Sequence, residues 1–342
     1  MNEQPIKTKT ITIIGAGTMG TALAQLLAAS GHSVKLWAYE PELVTAVNEQ
    51  HENTLFMPGI QLSSNIRAFN RFEDALSNTQ YVLSVTPSQV IRQLWTDAKK
   101  YLPAHVPVVC ASKGIETHTG KLISEVLEEV LEENAADRLA YLSGPSFAKE
   151  IMDEQPTAVV IASKNPELAT ELQEVISTQL FRAYTTDDVI GVEIGGAIKN
   201  VIAIAVGIAE GLGLGINSKS ALITRGLAEI TRLAVACGAQ GETLAGLAGM
   251  GDLVLTCNGH LSRNLQVGIR LGKGETLDEI LGSMKMVAEG VATAHSTLEL
   301  AKHFSVDMPI TGIVVDILNG HIPPAEAVMI LMGRRLRAEK DE

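Results

Sequence analysis

Near the N-terminus the β-branched run Thr10–Ile14 breaks into Gly15-Ala16-Gly17-Thr18-Met19-Gly20, and an apolar-periodic stretch over residues 17–30 follows at once. This strand–G-x-G-x-x-G–helix order is the pattern of a dinucleotide-binding βα unit. Gly15 permits a tight turn, Gly17 lets a pyrophosphate approach the backbone, and Gly20 lets the helix lie close on the sheet with its N-terminus facing the phosphates. A plain glycine-rich strand–helix turn would use the same residues without a ligand. Glu40 lies 20 residues beyond Gly20, where an acid accepts hydrogen bonds from a ribose 2′-hydroxyl and favours NADH. No arginine stands beside it, and Tyr39 fits either a lining for the adenosine end or one half of a surface Tyr-Glu pair. Both NADH and NADPH therefore remain open.

Downstream, short β-branched runs alternate with amphipathic stretches, the rhythm of βαβ units and a parallel sheet. Strands are predicted over residues 10–14, 33–37, 81–85, 106–110, 139–142 and 158–161. Thr86-Pro87-Ser88 and Ser112-Lys113-Gly114 follow two of them, at the carboxyl ends where open α/β sheets collect ligands. From about residue 188 the strand signals fade. Helical periodicity takes over at 189–210, 219–237, 243–247, 262–271, 276–281, 293–302, 309–318 and 324–337, with breaks at Gly211–Gly215 and Gly249–Gly251. The expected architecture is an α/β Rossmann-type dinucleotide-binding domain over residues 1–188, followed by an all-helical domain over 189–342. No Pro-rich linker separates them, which predicts two domains packed across a cleft.

Composition narrows the function classes. In 342 residues, Lys+Arg 27 against Asp+Glu 39 gives a net charge of −12, which opposes general nucleic-acid binding but not the capture of one small phosphate by a local basic cluster. The most apolar stretch, residues 201–209, is flanked by Lys199, Asn200 and Glu210. It falls short of the ~20 residues of a membrane span and reads as a buried helix. The polar start of the chain runs straight into the first strand, so no signal peptide and no membrane insertion are expected. Cys110, Cys237 and Cys257 are too few and too scattered for a disulfide framework. The eight histidines lack metal-ligand spacing, so no metal is expected.

Polar residues stand out in the helical half. Lys199 sits in an otherwise apolar helix, one turn after Gly195-Gly196, whose missing side chains admit a backbone or a ligand. A buried ammonium needs partners or a task, and a protonated lysine suits carbonyl reduction by polarising the ketone and delivering a proton. A lysine snorkelling from a helix edge is the plainer alternative. Gly249-Met250-Gly251-Asp252 places an acid after a turn. Ser262-Arg263-Asn264 opens a helix, as an anion site or as a simple Ser262 cap with Arg263 in solvent.

Taken with Ile14–Leu23, Asn53–Pro58, Ser112–Glu116, Leu142–Glu150, Gly195–Ile204, Ala221–Glu229, Gly249–Cys257 and Ser262–Asn264, the chain resembles the bacterial NAD(P)-dependent glycerol-3-phosphate dehydrogenases nearly end to end. The resemblance implies reduction of dihydroxyacetone phosphate to sn-glycerol 3-phosphate for glycerophospholipid synthesis, in the cytoplasm, by a homodimer. It implies Lys199 as the catalytic general acid. Lys113, Gly144, Ser146, Lys199, Asp252, Ser262, Arg263 and Asn264 would contact the triose phosphate. Besides the glycines Gly15, Gly17 and Gly20, it implies cofactor contacts at Thr18, Met19, Tyr39, Lys113, Ala148, Arg263, Val287 and Glu289. Lys113, from the first domain, and Lys199, from the second, would then approach one carbonyl, with Asp252 holding Lys199 in place and charged. Two positions depart from the family pattern: Met19 replaces a frequent aromatic residue, and Tyr39 a frequent basic or imidazole one. Rival readings are a sister reductase of β-hydroxyacids or imines, which shares the glycine motif but not Gly144-Pro145-Ser146 with Ser262-Arg263-Asn264, and a redox sensor that kept the fold without the chemistry.

Overall fold

The structure is a computed structural model that describes residues 8–132, 135–284, 287–336 and 338–339. The chain divides into two compact units, Met1–Ser112 with Ser124–Val189, and Lys113–Ile123 with Ile190–Glu342.

Among the described residues the first unit has ten strands: β1 (Thr10–Ile14), β2 (Ser33–Trp37), β3 (Glu52–Asn53), β4 (Met57–Gln61), β5 (Ile66–Phe69), β6 (Tyr81–Ser84), β7 (Val108–Cys110), β8 (Leu139–Ser143), β9 (Thr157–Ala162) and β10 (Phe181–Thr186). Eight form one sheet in the order β10-β9-β8-β7-β6-β1-β2-β5, while β3 and β4 make a separate antiparallel pair. The central strands carry apolar side chains on both faces because helices cover both sides; in β1, Ile11, Ile13 and Ile14 are all fully buried. β5 and β10, which periodicity does not reveal, are edge strands. In β10 the buried Phe181 and Ala183 alternate with exposed Arg182 and Tyr184, and four to six half-polar residues give little signal.

The expected wholly parallel sheet is modified at one place. β8 and β9 pair antiparallel, with Leu142 opposite Ile161, whereas β9 and β10 run parallel to each other. An antiparallel neighbour starts at the edge where the preceding strand ends, so residues 144–156 stay at the carboxyl edge of the sheet instead of crossing it. That edge also carries the turns after β1, β2, β6 and β7, since these strands are parallel to one another and to β8.

The second unit is helical. Its core helix, Val189–Gly211, is apolar enough to span a membrane by length, but 94% of its most apolar window is buried inside the protein. A single cut after residue 188 does not describe residues 113–123, which pack here: Ile115 and Leu122 are bridged to each other and buried in the helical core. The glycine break expected at 249–251 is instead a wide π-turn, Leu247–Gly251, that runs directly into the helix Asp252–Asn258. Asp252 therefore begins a helix and does not follow a loose turn.

Helix Arg263–Gly272 crosses the core helix backbone to backbone. A Cβ on Gly207 or Gly211 would collide with the carbonyls of Leu265 or Ile269, and one on Gly268 or Gly272 with those of Ile204 or Ile208. Four glycines thus set the distance between the helix bearing Lys199 and the helix starting at Arg263. Gly207→Ala is expected to destabilise the protein by about 1–3 kcal/mol through overpacking, read as a lower urea midpoint; an unchanged midpoint would contradict this crossing.

Candidate active site

In the first unit the predicted cofactor residues gather at the carboxyl edge of the sheet. Gly15 holds φ +114°, and a Cβ there would strike the Val85 carbonyl, while a Cβ on Gly20 would strike the Gly15 carbonyl. Only glycine fits either place. Gly17 is different: a Cβ there meets nothing within 4 Å, so the backbone stands open for a ligand to approach. Gly17 caps the helix Thr18–Ala29 and contributes no capping side chain, so the amides of Thr18 and Met19 lie at the positive end of a 12-residue helix. This loop fits a dinucleotide pyrophosphate on its own geometry.

The neighbouring turns extend the same edge. Tyr39 is 80% exposed and, with the half-buried Glu40, follows β2, the strand beside β1. Gly144 holds φ +128°, with space for a Cβ restricted to 3.0 Å by Val159. The Ser146 hydroxyl donates to the Gly144 carbonyl at 3.0 Å. Ala148 opens the short helix Ala148–Met152, which packs against Thr18–Ala29. One residue that periodicity does not mark is also here. Asn53, fully buried in β3, donates to the Ala16 carbonyl and the Thr21 hydroxyl; an uncharged polar side chain in a two-residue strand has no periodic signature, and its one sequence signal is that it opens the Asn53–Pro58 stretch of the family resemblance.

The second unit brings Lys113, Lys199 and Asp252 together. The Asp252 carboxylate is 1% exposed and accepts from both lysines, at one oxygen from Lys113 Nζ at 2.7 Å and at the other from Lys199 Nζ. A backbone contact sets this pairing. A Cβ on Gly195 would lie 2.7 Å from the Ala248 carbonyl; Lys199 lies one helical turn beyond Gly195, and Asp252 four residues beyond Ala248. The glycine one turn before the lysine therefore admits a backbone, as one of its two expected uses.

Two ammonium groups on one carboxylate leave one net positive charge in a desolvated place. Burial pulls the Lys199 ammonium down to about 8, with Asp252 opposing the fall and Lys113 adding to it. Lys199 thus remains mostly protonated near neutrality while its acidity is raised toward the working range of a proton donor. Burial favours the neutral Asp252, but the two lysines overcome it and hold the carboxyl below its ordinary range. Burial pushes the adjacent Cys257 thiol up to about 12, so it adds no charge.

Ser262 caps the helix Arg263–Gly272, its hydroxyl oxygen accepting the Leu265 N–H at 3.2 Å. The cap is therefore real, and Arg263 is exposed beside it, with Glu289 as an opposite charge acting on it. Asn264 donates to Asn200 Oδ1 at 2.9 Å and accepts the Gly290 N–H at 3.0 Å, tying the residue after Lys199 to the helix Glu289–His303. Glu289 opens that helix and Val287, 54% exposed, precedes it. Among the described residues no group of histidine, cysteine and acidic side chains is arranged to hold a metal.

Two family models cover the chain: NAD-dependent glycerol-3-phosphate dehydrogenase N-terminus over residues 10–169 and C-terminus over 188–329. A glycerol-3-phosphate dehydrogenase [NAD(P)+] from Geobacter sp. (strain M21) is 54% identical over 329 residues, 96% of this chain and 98% of that protein. The Myxococcus xanthus protein of the same name is 50% identical over 96% of this chain and 98% of its own length. The crystal structure of glycerol-3-phosphate dehydrogenase from Coxiella burnetii superimposes with a TM-score of 0.91 at 37% identity, covering 96% of this chain and 99% of that one.

Removing the shared carboxylate leaves the buried Lys199 ammonium and the half-buried Lys113 without their shared counter-charge. Asp252→Ala is expected to lower unfolding stability by about 3–5 kcal/mol, measured by urea denaturation at neutral pH; a loss below about 1 kcal/mol would show that the lysines do not depend on it.

Proposed function

The chain belongs to the NAD-dependent glycerol-3-phosphate dehydrogenase family, and on that premise we propose that it reduces dihydroxyacetone phosphate to sn-glycerol 3-phosphate, with Lys199 as the general acid. It is an NAD(P)-dependent oxidoreductase. The observation that carries the assignment of Lys199 is the buried Lys199–Asp252–Lys113 cluster with its surplus positive charge. When bound, the reduced nicotinamide supplies the hydride that goes to the ketone carbon.

Negative charge develops on the ketone oxygen as its carbon is reduced. Lys199 stabilises that charge and transfers a proton to the oxygen, forming the secondary alcohol and leaving a neutral amine; in the oxidative direction the amine takes the proton back. Asp252 keeps Lys199 aimed and mostly charged, and Lys113, 21% exposed at its side chain, adds a second positive group for the substrate. The substrate phosphate is assigned to the start of helix Arg263–Gly272, where the Arg263 guanidinium and the helix dipole favour an anion. Ser262 uses its oxygen in the cap, which leaves its hydroxyl proton as the donor for the phosphate. Gly144 and Ser146 belong to the substrate set, and Thr18, Met19, Tyr39, Ala148, Val287 and Glu289 to the cofactor set, in the same reading. A phosphate held away from the reacting carbon orients it, so binding energy serves the transition state. Homodimer formation and a cytoplasmic location complete the proposal, and sedimentation of the purified chain tests the first.

Lys199→Ala is expected to cut turnover by about 100- to 10,000-fold while NADH and NADPH still bind, measured by reduced-cofactor absorbance with dihydroxyacetone phosphate. Turnover at the wild-type rate would remove Lys199 from the mechanism. The pH dependence follows from the depressed Lys199 pKa: the protonated donor is lost as pH rises through about 8. Saturated ketone reduction should therefore decline above that pH, while oxidation of glycerol 3-phosphate should gain. A reduction rate flat to about pH 10, where an ordinary lysine titrates, would contradict the assignment.

A further inference from the structure

We propose that Asn53 is a positioning residue for the dinucleotide: it turns the Ala16–Gly17 peptide so that the Gly17 N–H faces the pyrophosphate. The proposal rests on reading the glycine loop as the cofactor site. Its basis is a closed hydrogen-bond network inside the first unit. Asn53 Nδ2 donates to the Ala16 carbonyl at 2.8 Å and to Thr21 Oγ1 at 2.7 Å, and Asn53 Oδ1 accepts the Phe56 N–H at 2.9 Å. The Thr21 hydroxyl, bonded by Asn53, donates to the same Ala16 carbonyl at 3.3 Å. Asn53 and Thr21 are both fully buried.

The Ala16 carbonyl thus receives two donors, which matches its two lone pairs. In a trans peptide the carbonyl and the following N–H point in opposite directions. Holding the Ala16 oxygen toward β3 therefore turns the Gly17 N–H the other way, at a residue with open space beside its backbone, since a Cβ on Gly17 would meet nothing within 4 Å. Gly17 itself offers little resistance to rotation of this peptide, because glycine tolerates either sign of φ. A rotated peptide would aim a carbonyl oxygen at the phosphates and replace an attraction with a repulsion. The asparagine amide suits the task because it supplies two donors and one acceptor at once. A carboxylate here would set an oxygen against the Ala16 carbonyl, and an aliphatic side chain would release it.

The test uses the purified full chain and two ligands, ADP-ribose, which carries the pyrophosphate without the nicotinamide, and NADH. Dissociation constants are measured by calorimetry without triose phosphate, alongside thermal midpoints and the KM for dihydroxyacetone phosphate. Asn53→Ala is expected to weaken both ligands by about tenfold, equivalent to about 1.4 kcal/mol, with the KM for dihydroxyacetone phosphate changed less than about twofold. Thr21→Val should weaken both ligands by a smaller factor and Thr21→Ser should restore them; this pair decides the matter should Asn53→Ala fail to fold. Folded variants that lose thermal stability yet bind ADP-ribose as wild type does would make Asn53 a structural strut and overturn the proposal. Gly17→Val is the separate control. If it binds ADP-ribose like wild type, or if wild type does not bind it, the loop reading fails and the proposal falls with it.

Discussion

A carboxylate shielded from water almost completely cannot hold its charge alone, and Asp252 answers that constraint with two lysines. The arrangement does more than neutralise. One negative group cannot cancel two positive ones, so the helical unit carries a net cation at a desolvated place, where an electrostatic interaction is stronger than in water. The same burial that makes the site costly brings the Lys199 ammonium closer to neutrality in acidity. A single desolvated cluster thereby provides charge stabilisation and a proton donor. Reduction of a ketone requires both.

Glycines, and not large side chains, set the spacing around this cluster. Gly195 admits the Ala248 carbonyl and brings the π-turn against the core helix; Gly207, Gly211, Gly268 and Gly272 let the helix starting at Arg263 cross the same core helix at backbone contact. Asn264 then fastens that crossing to Asn200, the residue after Lys199. The first unit follows a similar economy. Gly15 and Gly20 bring the loop onto the strand ends, while Asn53 and Thr21 both donate to its Ala16 carbonyl. In both units the residues proposed to meet ligand are positioned by neighbours whose own side chains are absent or buried.

Much of this was legible in the order of residues. β1 and β2 fall where β-branched runs place them, the glycine motif lies between strand and helix, and a lone lysine in an apolar helix marks the cluster. The remainder depends on contacts distant in sequence. Ser112-Lys113-Gly114 reads as a strand-end turn, and only the burial of Ile115 and Leu122 among the helices reveals that Lys113 folds with Lys199. The antiparallel turn between β8 and β9 has no periodic signature, because both strands are apolar on both faces in either direction. Gly249 to Gly251 has the composition of a break, yet the Gly249 backbone packs so tightly on Leu244 that the chain keeps a wound π-turn.

The proposed polarisation of the substrate ketone by the lysine cluster is read directly by vibrational spectroscopy. The carbonyl stretch of isotopically labelled dihydroxyacetone phosphate would be recorded bound to the enzyme with oxidised cofactor, for wild type and for Lys199→Met. The expected result is a stretch displaced to lower frequency in wild type and returned toward its solution value in the variant. An unshifted carbonyl in the wild-type complex would show that the buried charge does not act on the reacting bond.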